Sequence, residues 1–164
     1  MTGVACEIEG WGLAEVWADG SRLLQLELPR PASRLPEVRL AGKSSRVGDG
    51  FVPDVCRRLE AHFRGERVSW DDIELDVDWC TPFQLAVFEA LRGVPYGETV
   101  TYGELAALAG HPNAQRAAGS VCARNRFAIV VPCHRVVAAG GLGSYPSFGL
   151  AYKRRLLELE GVVL

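Results

Sequence analysis

Two reactive side chains stand next to each other in Ile129-Val130-Val131-Pro132-Cys133-His134-Arg135-Val136-Val137. A run of apolar, mostly β-branched residues ends at a proline. A thiol, an imidazole and a guanidinium follow, and then two more valines. A buried cysteine on its own behaves as a small hydrophobe. A thiol set beside an imidazole at the end of a Pro-terminated extended run is instead a candidate activated nucleophile, because the thiolate is the form that attacks. Such a relay gains from a third group that orients the imidazole. Glu160 is the candidate: a carboxylate in the last turn of a helix opposes the helix dipole, and a buried cationic or hydrogen-bonding partner such as His134 justifies it.

The other chemistry-bearing residues narrow the choices. The five cysteines (Cys6, Cys56, Cys80, Cys122, Cys133) are odd in number and scattered, with no Cys-x-x-Cys, and His62, His111 and His134 show no ligand spacing. This predicts a reducing cytosol and inert packing or surface thiols at Cys6, Cys56, Cys80 and Cys122. It argues against a disulfide framework and a structural metal site, so no metal and no cofactor are expected. No apolar run reaches membrane-spanning length, and Met1 to Gly10 lacks the basic and apolar regions of a signal peptide, so a cytoplasmic protein without membrane contact is expected. The net charge of −2 divides unevenly, about −5 over residues 1–79 and about +3 over 80–164. The basic half is the half with the Cys-His pair, which permits a polyanion-binding face there.

The elements that must position these residues are legible in outline. Residues 11–28 read as a β-hairpin around Asp19-Gly20. Residues 29–50, with Pro29, Pro31, Pro36 and a Gly/Ser-rich piece, read as loop. A helix is predicted from about Pro53 to Phe63, then an alternating strand over Ile73–Trp79. Thr81-Pro82 opens a new pattern, which sets an N-terminal α/β domain at 1–79 and a C-terminal domain at 80–164. Helices are predicted over Pro82–Arg92, Thr101–Ala109 and Ala114–Arg124, the last capped by Asn113. The tight turn between the second and third reads as a helix-turn-helix. On a helical wheel Ala114, Ala117, Ala118 and Val121 share the core side, while Arg116, Gly119, Ser120 and Ala123 form a small-residue outer face. A final helix over Leu150–Glu160 is predicted to carry Lys153-Arg154-Arg155 outward.

Taken together, Pro132-Cys133-His134-Arg135-Val136, preceded by Tyr102, Arg116-Ala117-Ala118-Gly119 and Asn125, and followed by Gly143-Ser144-Tyr145 and Leu156–Gly161, resemble the O6-alkylguanine-DNA alkyltransferases. The match spans Thr81 to Gly161. The resemblance implies an α+β chain: a small ribonuclease-H-like N-terminal domain, and a helical, winged-helix-like C-terminal domain with a helix-turn-helix. It implies repair of O6-alkylguanine, and of O4-alkylthymine, in double-stranded DNA. The alkyl group would pass irreversibly to Cys133 in one step, with His134 as base, Glu160 orienting it and Tyr102 hydrogen-bonding the purine. It further implies nucleotide flipping from the minor groove, with Arg116 filling the vacated stack and Ala117, Gly119, Ser120 and Arg124 at the DNA. The base pocket would be lined by Pro132, Val136, Tyr145, Ser147 and Asn125, and the protein would act as a monomer.

The sequence departs from the family in two places. Arg126 follows Asn125 where proline is common. In the loop Tyr145–Gly149, Tyr145 lies one residue nearer Cys133 than expected, and Phe148 is bulky where large alkyl groups would enter. This predicts a pocket that favours methyl over benzyl. The principal alternative is a catalytically silent alkylated-base binder, which carries a different residue at the position of Cys133.

Overall fold

The computed structural model describes residues 2–31 and 50–164, and divides into two compact units. The first comprises residues 1–76 with 126–128, and the second 77–125 with 129–164. The boundary expected at 79/80 therefore falls inside the second unit, close to its start.

In the first unit β1 (Thr2–Ile8), β2 (Gly12–Asp19) and β3 (Arg22–Arg30) form an antiparallel meander, and β4 (Glu74–Leu75) joins the far side parallel to β3. The hairpin turn sits at Asp19-Gly20 as expected, with Asp19 paired to Arg22 and Gly20 at φ 60°. β1 is an addition to the sequence expectation. Its Gly3 is fixed by packing, since a Cβ there would lie 2.3 Å from the Trp17 ring. α1 (Phe51–Phe63) buries Val55, Cys56, Leu59, His62 and Phe63 along one stripe. Residues 126–128 return to this unit: Leu26 N–H donates to Arg126 O at 2.8 Å, and Ala128 N–H donates to Leu26 O at 3.3 Å.

Three expectations need correction or limitation here. Cys6 and Cys56 are joined in a disulfide that ties β1 to α1, with Cα atoms 5.9 Å apart, so they are not free packing thiols. Their 50-residue separation in sequence gave no spacing cue. The strand expected over 73–79 shrinks to Glu74–Leu75, although Ile73 and Leu75 are buried and Glu74 is exposed as alternation requires. Pairing reaches only Arg22 and Leu23, at the start of β3, and a turn closed by Cys80 N–H to Val77 O ends it. Of the loop expected over 29–50, residues 29–30 belong to β3, and most of the remainder, 32–49, lies outside the described residues.

The second unit packs α2 (Pro82–Arg92), α3 (Tyr102–Leu108), α4 (Gln115–Ala123) and α5 (Leu150–Leu159) around Val87, Leu91, Leu105, Ala118, Val131 and Leu156. Two capping boxes set the starts of helices. Thr81 and Gln84 exchange side chain–backbone bonds at α2, and Thr101 and Glu104 do so at α3. β5 (Val100–Thr101) and β6 (Val136–Val137) pair in parallel on either side of the reactive segment.

Two readings of α4 and its start fail in this unit. Asn113 does not cap α4. It takes φ 72° in the preceding turn, a conformation asparagine tolerates, and Ala114 occupies the cap position without a side-chain bond. Ala117 is exposed rather than core, because the short helix buries only Ala118 and Val121.

Candidate active site

Cys133 opens a single turn of 3-10 helix, Cys133–Arg135, between the buried run Ile129–Val131 and β6. Cys133 N–H donates to Val131 O at 2.8 Å, folding the chain sharply just before the turn. Asn125, just beyond α4, spans this bend. Its Nδ2 donates to Val131 O at 2.7 Å and to Cys133 Sγ at 3.3 Å. One amide thus fixes the bend and holds a donor on the sulfur. Cys133 keeps some accessible surface. Burial pushes the thiol up, against the hydrogen bond from Asn125, the charge of Lys153 and a hydrogen bond with Tyr145.

His134 is fully buried, and its Nε2 meets Glu160 Oε2 at 2.6 Å. Burial lowers the imidazole's pKa, against the raising effect of Glu160, so at neutral pH the ring is neutral. The ionised carboxylate can only accept, which assigns the proton to Nε2 and the lone pair to Nδ1. Glu160 is heavily committed. Arg135 donates Nε to Oε1 at 2.8 Å and Nη2 to Oε2 at 3.1 Å, and Gly97 N–H donates to Oε1 at 3.2 Å. Burial opposes its ionisation, but the bonds and charges of His134 and Arg135 outweigh burial and bring its pKa to about 2. Arg135 Nη1 also donates to Val94 O at 2.7 Å. The role of Arg135 was not anticipated; an arginine held between buried valines was the available signal.

Tyr102, the first residue of α3, places its ring against α4 and the loop after β6. Its edge lies 3.0 Å from the position a Cβ would take on Gly143 (φ 81°) and 3.7 Å from that on Gly119. Its hydroxyl hydrogen-bonds Ser144, and burial raises its pKa, so it is a neutral phenol able to donate. Pro132 and Val136 are buried on either side of the turn.

Arg116, Ala117 and Ser120 are exposed on α4, Arg124 is exposed at its C-terminal cap, and Gly119 is half-buried beside Tyr102. Ser120 Oγ donates back to Arg116 O at 3.2 Å. Tyr145 is half-buried, while Ser147 is exposed with φ 73°. Phe148 stacks edge-on to Tyr152 at 4.8 Å and lies 6.3 Å from Tyr145.

Lys153 contradicts the expectation of an outward-facing basic run. It is fully buried, and its Nζ donates to the carbonyls of Val136 (2.5 Å), Leu142 (2.6 Å) and Ser144 (3.2 Å). Arg154 and Arg155 do face outward. The wheel held the cue: residues 153, 156, 157 and 160 share the spacing of a core stripe, and 156, 157 and 160 are buried as well.

A helical domain thus sets one cysteine beside a neutral imidazole and an ionised carboxylate, the groups that nucleophilic chemistry at a thiol calls for. Residues 82–162 match the family model for the 6-O-methylguanine DNA methyltransferase, DNA binding domain. The chain is 45% identical over 130 residues to the methylated-DNA–protein-cysteine methyltransferase of Methanopyrus kandleri, covering 77% of this chain and 95% of that one. It is 50% identical over 112 residues to the protein of the same name from Methanosarcina acetivorans, covering 68% and 70%. The solved structure of Mycobacterium tuberculosis OGT in complex with DNA matches with a TM-score of 0.75 and 37% identity, over 98% of this chain and 92% of that one. The chain belongs to the methylated-DNA–protein-cysteine methyltransferase family.

Proposed function

We propose that this protein repairs O6-alkylguanine in double-stranded DNA by moving the alkyl group onto Cys133. The observation that carries the reading is the Asn125 bond to Cys133 Sγ beside the His134–Glu160 pair. His134 takes the thiol proton through a water, since adjacent side chains seldom face one another. The thiolate attacks the alkyl carbon, a C–S bond forms, and the C–O6 bond breaks with its electron pair leaving on guanine. Tyr102 donates to the purine and offsets that charge, and a proton returns to the released base. The product is a thioether with no step to regenerate the thiol, so each molecule reacts once.

The target atom lies inside the duplex, so the nucleotide flips out at a cost of a few kcal/mol. Arg116 fills the gap, and the exposed small residues Ala117, Ser120 and Ala123 let α4 approach closely in the minor groove. Gly119 stands on the same helix and also lies beside Tyr102, whose ring is 3.7 Å from the position a Cβ would take there. Arg124 meets the phosphate backbone. Pro132, Val136, Tyr145, Ser147 and Asn125 frame the base. In this reading α3 and α4 form a helix-turn-helix in a winged-helix-like domain, residues 1–79 a ribonuclease-H-like domain, and the protein works as a cytoplasmic monomer. O4-alkylthymine is a second substrate.

Incubation with a duplex bearing O6-methylguanine, followed by intact and peptide mass measurement, tests this. A single gain of about 14 Da on the Cys133 peptide, absent in Cys133→Ala, is expected for one transferred methyl group. Tight binding with no mass gain overturns the reading in favour of a silent binder. The Phe148–Tyr152 stack bears on alkyl size: methyl should transfer faster than benzyl, and equal rates would refute the narrow pocket.

A further inference from the structure

Lys153 lies on the core side of α5, where aliphatic residues belong, and a buried lysine survives only with its donors satisfied. Its three acceptors are all backbone carbonyls, one on β6 and two in the loop that follows. Three acceptors match the three N–H groups that only the charged ammonium offers. A carbonyl cage therefore favours the cation, although burial alone lowers its pKa. The loop residue between two of those carbonyls is Gly143, the one laid against the edge of the Tyr102 ring. The ammonium is also 5.9 Å from the Tyr102 ring centre and 6.0 Å from that of Tyr145. One side chain thus joins helix, strand and loop at the residues surrounding Cys133.

We propose that Lys153 is a positioning residue for alkyl transfer, pinning Leu142–Ser144 over Tyr102 and holding a fixed positive charge beside the ring of Tyr145, whose side chain hydrogen-bonds Cys133. The inference rests on the alkyl-transfer reading above. The other groups around the thiol leave that part open. Asn125 and Tyr145 contribute hydrogen bonds and no cation. Tyr102 is kept neutral by burial, and Cys122, whose pKa is pushed up to about 12, is a neutral thiol. His134 is neutral, and Arg135 is matched by Glu160. Lys153 remains, and its charge favours the thiolate.

The test compares wild type with Lys153→Met, which removes the charge at similar length, and Gly143→Ala, which disturbs the loop against Tyr102 and leaves the charge. Two quantities are measured: the pH midpoint of Cys133 labelling by iodoacetamide, and single-turnover methyl transfer from an O6-methylguanine duplex at increasing DNA. Lys153→Met should raise the midpoint by about one unit and cut the limiting transfer rate by roughly tenfold or more, with half-saturating DNA unchanged. Gly143→Ala should slow limiting transfer and leave the midpoint in place. A folded Lys153→Met protein with an unmoved midpoint, or with a wild-type transfer rate, overturns the inference. If Lys153→Met does not fold, Gly143→Ala decides, and an unaffected transfer rate overturns it. Wild-type protein that gains no methyl on Cys133 would instead sink the transfer reading itself.

Discussion

Glu160→Gln removes the charge on which the site's buried hydrogen bonds converge. The wild-type carboxylate accepts from His134, twice from Arg135 and from Gly97, with no exposed side-chain surface. A carboxyl held at about 2 in the fold, against an ordinary 4.5, contributes roughly 3 kcal/mol to stability at neutral pH. An independent guide agrees in size: breaking a buried pair from one side costs about 3–5 kcal/mol, because the other charge is left buried. The amide also presents N–H groups where two donors already point. Its loss releases the imidazole's tautomer and orientation, so transfer should slow by about 10²–10⁴ as well.

The sign of the pH dependence follows from the depressed pKa. The contribution is complete above the unfolded value near 4.5 and is lost as pH falls toward about 2. Urea unfolding of wild type and Glu160→Gln should therefore differ by roughly 3 kcal/mol near neutrality, narrowing by about 1 kcal/mol near pH 3.5. Parallel stability curves from neutral pH to pH 3.5 would refute an ionised, proton-excluding Glu160. A full-sized stability loss with undiminished single-turnover transfer would refute its role in orienting His134.

Three other substitutions or treatments probe separate parts of the structure. Asn125→Ala deletes the donor to Cys133 Sγ and the tie to Val131 O; iodoacetamide labelling of Cys133 should shift to higher pH, and unfolding free energy should fall by about 1–2 kcal/mol. Thr101→Ala breaks the capping box at α3 and should cost about 1 kcal/mol by urea unfolding, with slower transfer because Tyr102 is the next residue. Thiol titration in denaturant should find three free cysteines before reduction and five after. Opening the Cys6–Cys56 bond should lower stability by about 2–4 kcal/mol and leave Cys133 labelling unchanged.

Features encoded by local chemistry were legible in the sequence. Asp19-Gly20 specifies its own turn, and Thr81-Pro82 specifies a helix start whatever packs above it. The bend at Cys133 is local in the same sense, since Asn125 and Cys133 lie within nine residues and meet directly. What failed was set by tertiary partners. The Cys6–Cys56 bond depends on α1 lying against β1, which no spacing encodes. The 73–79 alternation is real in burial, yet strand pairing needs a neighbour, and β3 supplies two residues of it. Lys153 was misread because its neighbours Arg154 and Arg155 suggested a solvated face; helical spacing and charge type disagreed there, and the carbonyl cage decided for spacing.

The raised thiol and the neutral imidazole together suit a protein that reacts once. Burial keeps Cys133 protonated at rest, and the thiol is far less nucleophilic than the thiolate. A cysteine held permanently as thiolate would be spent on stray electrophiles, each event costing a whole protein molecule. Here Asn125, Lys153 and Tyr145 only partly offset burial, and in the proposed mechanism the base that completes deprotonation is a buried, neutral His134. The charge on Glu160 holds that imidazole ready to accept a proton, while Arg135 prevents Glu160 from taking the proton itself. Under the proposed mechanism this arrangement postpones full activation until a substrate occupies the pocket, where proton removal and C–S bond formation proceed together. On this argument wild-type Cys133 should label slowly with iodoacetamide at neutral pH, yet transfer methyl rapidly from a duplex. Fast labelling at neutral pH would mean that the thiolate is preformed and that the guarding role assigned to burial is wrong.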